Sequence, residues 1–347
     1  MGERRARVTK HIAIVSFTVL LVFSACEYNY QAFGPLGEYI IVADSTEQAL
    51  LADSLEKYVF PGRHMPIYER PFALRYIDMQ QLGQYDTRRN LLLLGSLNGS
   101  NDMAVYLRRI LSDEARAAIR QGKGYYAWTQ DLYAQKQNVL IFTAPDIPAL
   151  LSGLQQKGAA VADSLWQRYR RDLKASMYAN AEQTEVADYL LEFHASAVRV
   201  QHDYFVAMNR QADSFYWLRR LNRLQETSRD LFVRYYERGG EIEISPAWML
   251  GERDSLARQF FGRVEIAGES HLRVKDAQVG AWPAIKLETV WRTGNSSIGG
   301  PLSMYGFYVP EQDRAYIIDV AVTAVGKRKT DFINQLEIIA ETFYIRQ

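Results

Sequence analysis

Trp217 and Arg219 are the two residues of this sequence whose types and spacing best suit ligand binding. They lie in FYWLRRL, residues 215–221. As a strand, that run places Phe215, Trp217 and Arg219 on one face and Tyr216, Leu218 and Arg220 on the other. An indole beside a guanidinium suits a sugar, a carboxylate or a phosphate, through ring stacking and a planar fork of donors. The same pair also serves as an arginine closing the edge of an aromatic core. An unpartnered buried guanidinium is costly, so an internal carboxylate, a carbonyl or a ligand must meet Arg219.

Other reactive patterns fail on spacing. Zinc ligation needs several histidines, cysteines or carboxylates held close together. Four of the five histidines, His64, His194, His202 and His271, are scattered along the body, and HExxH is absent. They read as surface or internally satisfied side chains, and neither a metal nor a cofactor is expected. The G-x-S-x-G elbow that strains a serine into a nucleophile is missing. GSLNGS (95–100) is a polar loop after a strand, where turn chemistry accounts for its residues. AVGKRKT (324–330) fails as a phosphate loop. Ala321 stands where the first glycine belongs, and Arg328 where a magnesium-binding Ser or Thr is needed. Carboxylate pairs carry no signal among so many acidic residues, because only their separation in space decides a glycosidase mechanism. No catalytic residue is therefore assigned.

The only cysteine, Cys26, ends an apolar run. Arg4, Arg5, Arg7 and Lys10 precede that run, which extends from Ile12 to Phe23. It is shorter than the roughly 20 residues that cross a hydrocarbon core, and it has the layout of a secretory signal. Phe23-Ser24-Ala25-Cys26 resembles a bacterial lipobox, which implies that the thiol receives a diacylglyceryl group and becomes the first residue of the mature chain. Two or more acyl chains hold a protein stably to a bilayer, where one does so only marginally. Cys26 is thus the expected lipid attachment site.

A single cysteine also rules out an internal disulfide, so the body must rely on its core. The full chain carries a net charge of +1. Removing residues 1–25 takes away four basic groups and Glu3, which leaves the mature chain at −2. That balance excludes the basic surplus of a nucleic-acid binder.

The elements that must position any site follow from hydrophobic periodicity. Residues 26–36 read as a tether ending in Gly34-Pro35. GEYIIVAD (37–44) reads as a buried strand, followed by an Asp44/Glu47 capping box and a helix with Leu51, Leu55 and Val59 on one face. Strands are predicted at 72–78, 90–96, 124–130 and 138–145, with helical segments over 101–121 broken at Leu111-Ser112-Asp113. Asp146 caps a long helix whose buried face runs from Leu150 to Met177. The second half opens with a helix over 184–195. Strands follow near 198–208, 213–221, 229–237, 268–275, 286–293, 303–309 and 314–322. Gly239-Gly240 forms a turn, Ser245-Pro246 starts a helix, and a final amphipathic helix begins at Thr330. The fold class is α+β: mixed strands with packing helices, in two halves (37–178 and 179–347) joined by a long helix, after a signal peptide over 1–25.

With these blocks in order, a resemblance emerges. The lipobox, IYERPFALRYID before RRNLLLL, FYWLRR and the closing GGPLSMYGFYVPEQDRAYIIDVAVTAVGKRKTDFINQLEII look like the Bacteroidota lipoprotein family catalogued as domain of unknown function 4837. The resemblance implies an exported lipoprotein of a Gram-negative envelope and brings no catalytic residues. Glu27 is a lone acidic residue after the cysteine, which favours an outer-membrane protein facing the periplasm over a surface-exported one. The expected partners are the membrane, through the lipidated N-terminus, and envelope proteins or glycan. The expected function is binding or envelope assembly, with an envelope hydrolase acting on glycan or peptide as the alternative.

Overall fold

The computed structural model describes residues 30–65, 67–179, 181–261, 264–266, 272–293 and 298–346. The segment expected to be a signal peptide, and Cys26, lie outside the described residues. From the N-terminus come β1 (Glu38–Val42), α1 (Ser45–Tyr58), the short pair β2 (Arg63–Met65) and β3 (Ile67–Glu69), and β4 (Ala73–Ile77). Next are α2 (Leu82–Tyr85), β5 (Asn90–Ser96), α3 (Asp102–Ile110), α4 (Asp113–Arg120), β6 (Tyr126–Gln130) and β7 (Asn138–Ala144). The chain continues through α5 (Ile147–Met177), α6 (Thr184–His194), β8 (Ser196–Ala197), β9 (Phe205–Arg210), β10 (Phe215–Asn222) and β11 (Thr227–Glu237). It closes with α7 (Pro246–Leu256), β12 (Val264–Ile266), β13 (Arg273–Val279), β14 (Trp282–Thr293), β15 (Gly299–Val309), β16 (Arg314–Ala324), α8 (Thr330–Ala340) and β17 (Tyr344–Ile345). The fold is α+β.

The chain divides into two compact units. One runs to Leu55 and resumes over Leu74–Ala159; the other takes Glu56–Ala73 and Ala160–Gln347. The division falls inside α5, and the β2–β3 hairpin belongs to the second unit.

The first unit is built on a sheet of order β4-β1-β5-β7-β6, in which β1, β5 and β7 run parallel. Both β5 and β7 are buried along their whole length, as apolar runs in parallel central strands require. Leu91, Leu93, Val139 and Ile141 meet Leu107 of α3 and Ile119 of α4 in one core. Ser112 separates the two helices by capping α4 through Ala115 N at 3.2 Å. The loop after β5 is a local structure: Asn101 caps α3 through Ala104 N at 2.8 Å, and Arg108 donates to the Leu97 and Gly99 carbonyls. Residues 30–36 are hydrogen-bonded into this unit, with Ala32 N 2.8 Å from the Gln135 carbonyl and Phe33 N 3.1 Å from that of Thr87.

The capping box is corrected in one half. Asp44 does cap α1, accepting from Thr46 N at 2.9 Å. Glu47 turns inward instead, buried, and accepts from Ser96 Oγ at 2.6 Å and from Ser96 N at 3.3 Å. The end of β5 offers the carboxylate two donors at once.

The second unit is an eight-stranded sheet whose main path is β12-β14-β15-β16-β11-β10-β9, with β13 paired to β14. Its pairings are antiparallel. The two sheets differ in topology, so the halves are not copies of one pattern. The strand expected near 198–208 starts later, at Phe205, because Gln201 instead bridges to Glu182 and a turn follows at 202–203; just before, β8 pairs with β17. The strand expected at 268–275 is β13, starting at Arg273; residues 267–271 lie outside the described residues. At the Gly239-Gly240 turn a Cβ on Gly239 would lie 2.1 Å from Ala315 N, so only glycine lets β16 pass.

Helix α8 begins under a cap that local sequence does not supply. Glu69, from β3, accepts from Lys329 N at 2.8 Å, Thr330 N at 2.9 Å and Thr330 Oγ1 at 2.8 Å. A buried carboxylate on the free N–H groups of a helix start satisfies donors and opposes the helix dipole. Glu69→Ala is expected to cost about 2 kcal/mol and Glu69→Gln about 1 kcal/mol, read as shifts of the urea-unfolding midpoint at constant slope.

Candidate functional site

The two faces of the second sheet carry different ionic clusters. Cross-strand register pairs Lys286 with Tyr305 and Glu288 with Ser303, so these four share one face. Against that face α8 sets Glu337 and Glu341 one turn apart, with Asn334 a turn earlier. Arg170 comes from α5, Arg63 from β2 and Lys275 from β13.

Glu337 is the centre of this cluster. Its side chain is 1% exposed, 2.8 Å from Lys286 Nζ and 3.2 Å from Arg170 Nη1. It also accepts from Ser303 Oγ at 2.8 Å. Glu288 meets Arg63 at 2.8 Å, Lys275 at 2.8 Å and Lys286 at 3.1 Å. Glu341 takes the other arm of Arg170 at 2.7 Å and the Tyr305 hydroxyl at 3.2 Å.

Burial would push both inner carboxylates up. The surrounding cations reverse it: Lys286 and Arg63 hold Glu288 at about 2, and Lys286, Arg63 and Arg170 hold Glu337 well below the usual range. These groups border an open cleft of about 630 Å³. One wall is aromatic: Trp166 stacks on Tyr169 with ring centres 5.5 Å apart, takes the edge of Phe72, and lies 5.6 Å from the Arg63 guanidinium. Lys275, half exposed, and exposed Arg273 and Asp276 form the rim.

The arrangement presents fixed charges of both signs beside an aromatic wall. It has no poised proton donor at Glu288 or Glu337, since a general acid needs a carboxyl raised toward the working pH.

The opposite face holds the pair singled out from sequence. Trp217 and Arg219 do share a face, and they converge on one carboxylate. Asp230 lies 3.0 Å from Arg219 Nε and accepts from Trp217 Nε1 at 3.0 Å and from Ser228 Oγ at 2.6 Å. The Arg219 guanidinium sits 4.9 Å from the indole. Trp217 continues an aromatic core with Phe215, Phe232 and Phe260. The internal carboxylate that the guanidinium requires is therefore Asp230. Arg220, on the other face, pairs with Asp203 at 2.5 Å. Farther along the Trp217 face, Arg253 of α7 meets Asp319 at 2.6 Å, and both are buried.

His194 is buried and donates from Nε2 to Asn209 Oδ1 at 2.8 Å; burial pushes its pKa down. His202 lies 3.9 Å from Asp203. The His64 and His271 side chains lie outside the described residues. Among the described residues no group of histidines, cysteines and carboxylates could hold a metal, and no helix is long and apolar enough to cross a membrane.

Sequence reasoning missed the cleft. Glu337 left a trace: it falls on the apolar stripe of the last helix, one turn after Ile333 and one before Ala340, where a charge must find partners. Arg63 and Arg170 come from segments far away in the chain and left none.

Fold and site together define a two-unit α+β protein whose second unit is an antiparallel sheet carrying an ion-paired cleft. Residues 183–342, most of that unit, match the family described as Domain of unknown function (DUF4837). The match includes FYWLRR and the closing block; the segments that bring Arg63 and Arg170 lie outside it.

Three solved structures resemble parts of the chain. LpqN, involved in cell envelope biogenesis of Mycobacterium tuberculosis, is 11% identical over 43% of this chain and 82% of its own, with a TM-score of 0.29. A structure from Bacteroides thetaiotaomicron VPI-5482 is 9% identical over 44% and 45%, with a TM-score of 0.26. A point mutant of the protein Mog1 is 11% identical over 44% and 92%, with a TM-score of 0.31. At these scores the likenesses are partial, and nothing about this chain's function follows from them. No curated protein matches the chain.

Proposed function

We propose that this protein is an envelope lipoprotein, anchored through Cys26, whose second unit binds a polar ligand in the Glu337 cleft without turning it over. The observation that carries the binding reading is the ion pairing of Glu288 and Glu337 with Lys286, Arg63 and Arg170. Two inner carboxylates held negative by Lys286, Arg63 and Arg170 are fixed electrostatic anchors, and they are poor proton donors. Charges of both signs beside Trp166 suit a ligand with an ammonium or hydroxyls at one end and a carboxylate at the other, as in a peptide or a charged glycan fragment. The anchoring half rests on the basic, apolar and small-residue order that ends at Cys26. A periplasm-facing position follows from Glu27 standing alone after the cysteine.

One variant serves both halves. Cys26→Ser is expected to lose fatty-acid labelling and to release the body in soluble form; a variant still labelled and membrane-bound would overturn the anchor. Calorimetric titration of that soluble chain with short peptides and soluble glycan fragments is expected to find a saturable probe that is recovered intact. Lys275→Glu is expected to weaken it by about tenfold. Release of a cleaved product, abolished by Glu288→Gln, would instead establish the hydrolase.

A further inference from the structure

The first unit holds a second cavity of a different character. It measures about 280 Å³, lies between α4 and the β6–β7 edge of the sheet, and is mostly apolar. Its space comes from small side chains at facing positions. Ala115 and Ala118 of α4 oppose Ala127 of β6, and Gly124 adds no side chain where a Cβ would meet nothing within 4 Å. Elsewhere this core is filled by Leu, Ile and Val, so the alanines here leave a void that larger residues would close.

Two polar groups line the cavity. Thr143 of β7 is 2% exposed, and its Oγ1 meets no hydrogen-bond partner among the described residues. A buried hydroxyl without a partner is unfavourable and calls for an acceptor or a donor. Lys123, exposed at the end of the turn after α4, lines the same cavity from its rim. Tyr125 and Tyr126 also line it.

We propose that this cavity binds a single-ring aromatic anion carrying a polar ring substituent. The volume lies just under the range of ~300–1,000 Å³ typical of drug-sized ligands, which limits the body to about one ring. Apolar walls take that ring. Thr143 hydrogen-bonds the substituent deep in the cavity, and Lys123 meets the anionic group at the opening. The site is separate from the cleft of the second unit and does not depend on what binds there.

The test compares 4-hydroxyphenylacetate with phenylacetate on the soluble Cys26→Ser chain, by ligand-observed NMR and calorimetry. The hydroxylated acid is expected to bind in a 1:1 saturable manner and about tenfold tighter than phenylacetate, the effect of one buried hydrogen bond. Thr143→Val is expected to erase that preference while leaving phenylacetate binding in place. Lys123→Glu, at an exposed position, is expected to weaken both acids, and Ala118→Trp to block both with an unchanged melting profile. Binding that survives Ala118→Trp, a preference that persists in Thr143→Val, or no saturable binding of either acid by a folded chain would each overturn the proposal.

Discussion

Replacing Arg253 with Met is expected to cost 3–5 kcal/mol at pH 8 and clearly less at pH 5. Arg253 Nε lies 2.6 Å from Asp319, with side chains 5% and 0% exposed. Burial pushes Asp319 up to about 6, even with Arg253 pulling it down. A carboxyl raised above its unfolded value of about 3.9 contributes most when protonated, and that contribution is lost as pH rises through the folded value. Without the guanidinium the folded pKa climbs further. The deficit therefore grows above about pH 6, where the orphaned group must either ionise in the core or hold a proton that the unfolded chain releases. In mild acid it is already neutral. The double variant Arg253→Met/Asp319→Leu removes both charges and is expected to recover most of the loss, since a buried ion pair adds little net stability over apolar residues of similar size. Urea unfolding at the two pH values measures all three chains. An equal deficit at pH 5 and pH 8 would mean that lost packing, not charge, dominates.

This pair also shows where sequence reading stops. The helix at Ser245-Pro246 was legible because an N-cap serine and an N1 proline act locally, and Ser245 Oγ does accept from Trp248 N at 3.3 Å. That Arg253 on the same helix faces Asp319 depends on register across β16, which no local pattern encodes. The strands β5 and β7 were legible from unbroken apolar runs. The break between α3 and α4 was legible from Ser112, and α5 from the stripe Leu150 to Met177, whose members are all buried.

The Trp217–Arg219 strand was legible to the level of faces, and the requirement for a partner followed from desolvation cost. Asp230 as that partner did not follow, because it sits on the next strand, opposite Arg219 in an antiparallel register. The cleft shows the same limit on a larger scale. Lys286 and Glu288 alternate in one strand and Glu337 interrupts an apolar helix face, yet Arg63, Arg170 and Lys275 are brought to them only by tertiary packing. Capping of α8 by Glu69 spans 261 positions in the chain, so a helix start that looks uncapped locally is capped from a distant hairpin.

The cleft is expected to respond to acid in the opposite sense to Asp319. Glu288 falls from its ordinary value to about 2 on folding, because Lys286 and Arg63 outweigh the cost of burial. A carboxyl depressed in this way contributes stability that is fully present above its unfolded value of about 4.3 and is lost as pH falls through the folded value. At about 1.4 kcal/mol per unit, a drop of this size corresponds to roughly 3 kcal/mol at neutral pH, and the side chain is only 12% exposed, so solvent screening takes little from it. Glu288→Gln should therefore be destabilised by about 3 kcal/mol at pH 7. The difference from the parent chain should be constant down to about pH 4.5 and shrink steadily toward pH 2. Glu337, held lower still by three cations, keeps its own contribution to more acidic pH, so the glutamine variant retains a residual acid transition. The measurement is the unfolding free energy of both chains in urea from pH 7 down to pH 3, in low salt and again in 0.5 M salt. Exposed ion pairs would weaken on adding salt, whereas these buried ones should change little. A difference that stays flat through pH 3, or one that vanishes in salt, would show that Glu288 is held by shape or by solvent-exposed charge. The electrostatic anchor of the cleft would then fail together with the binding reading built on it.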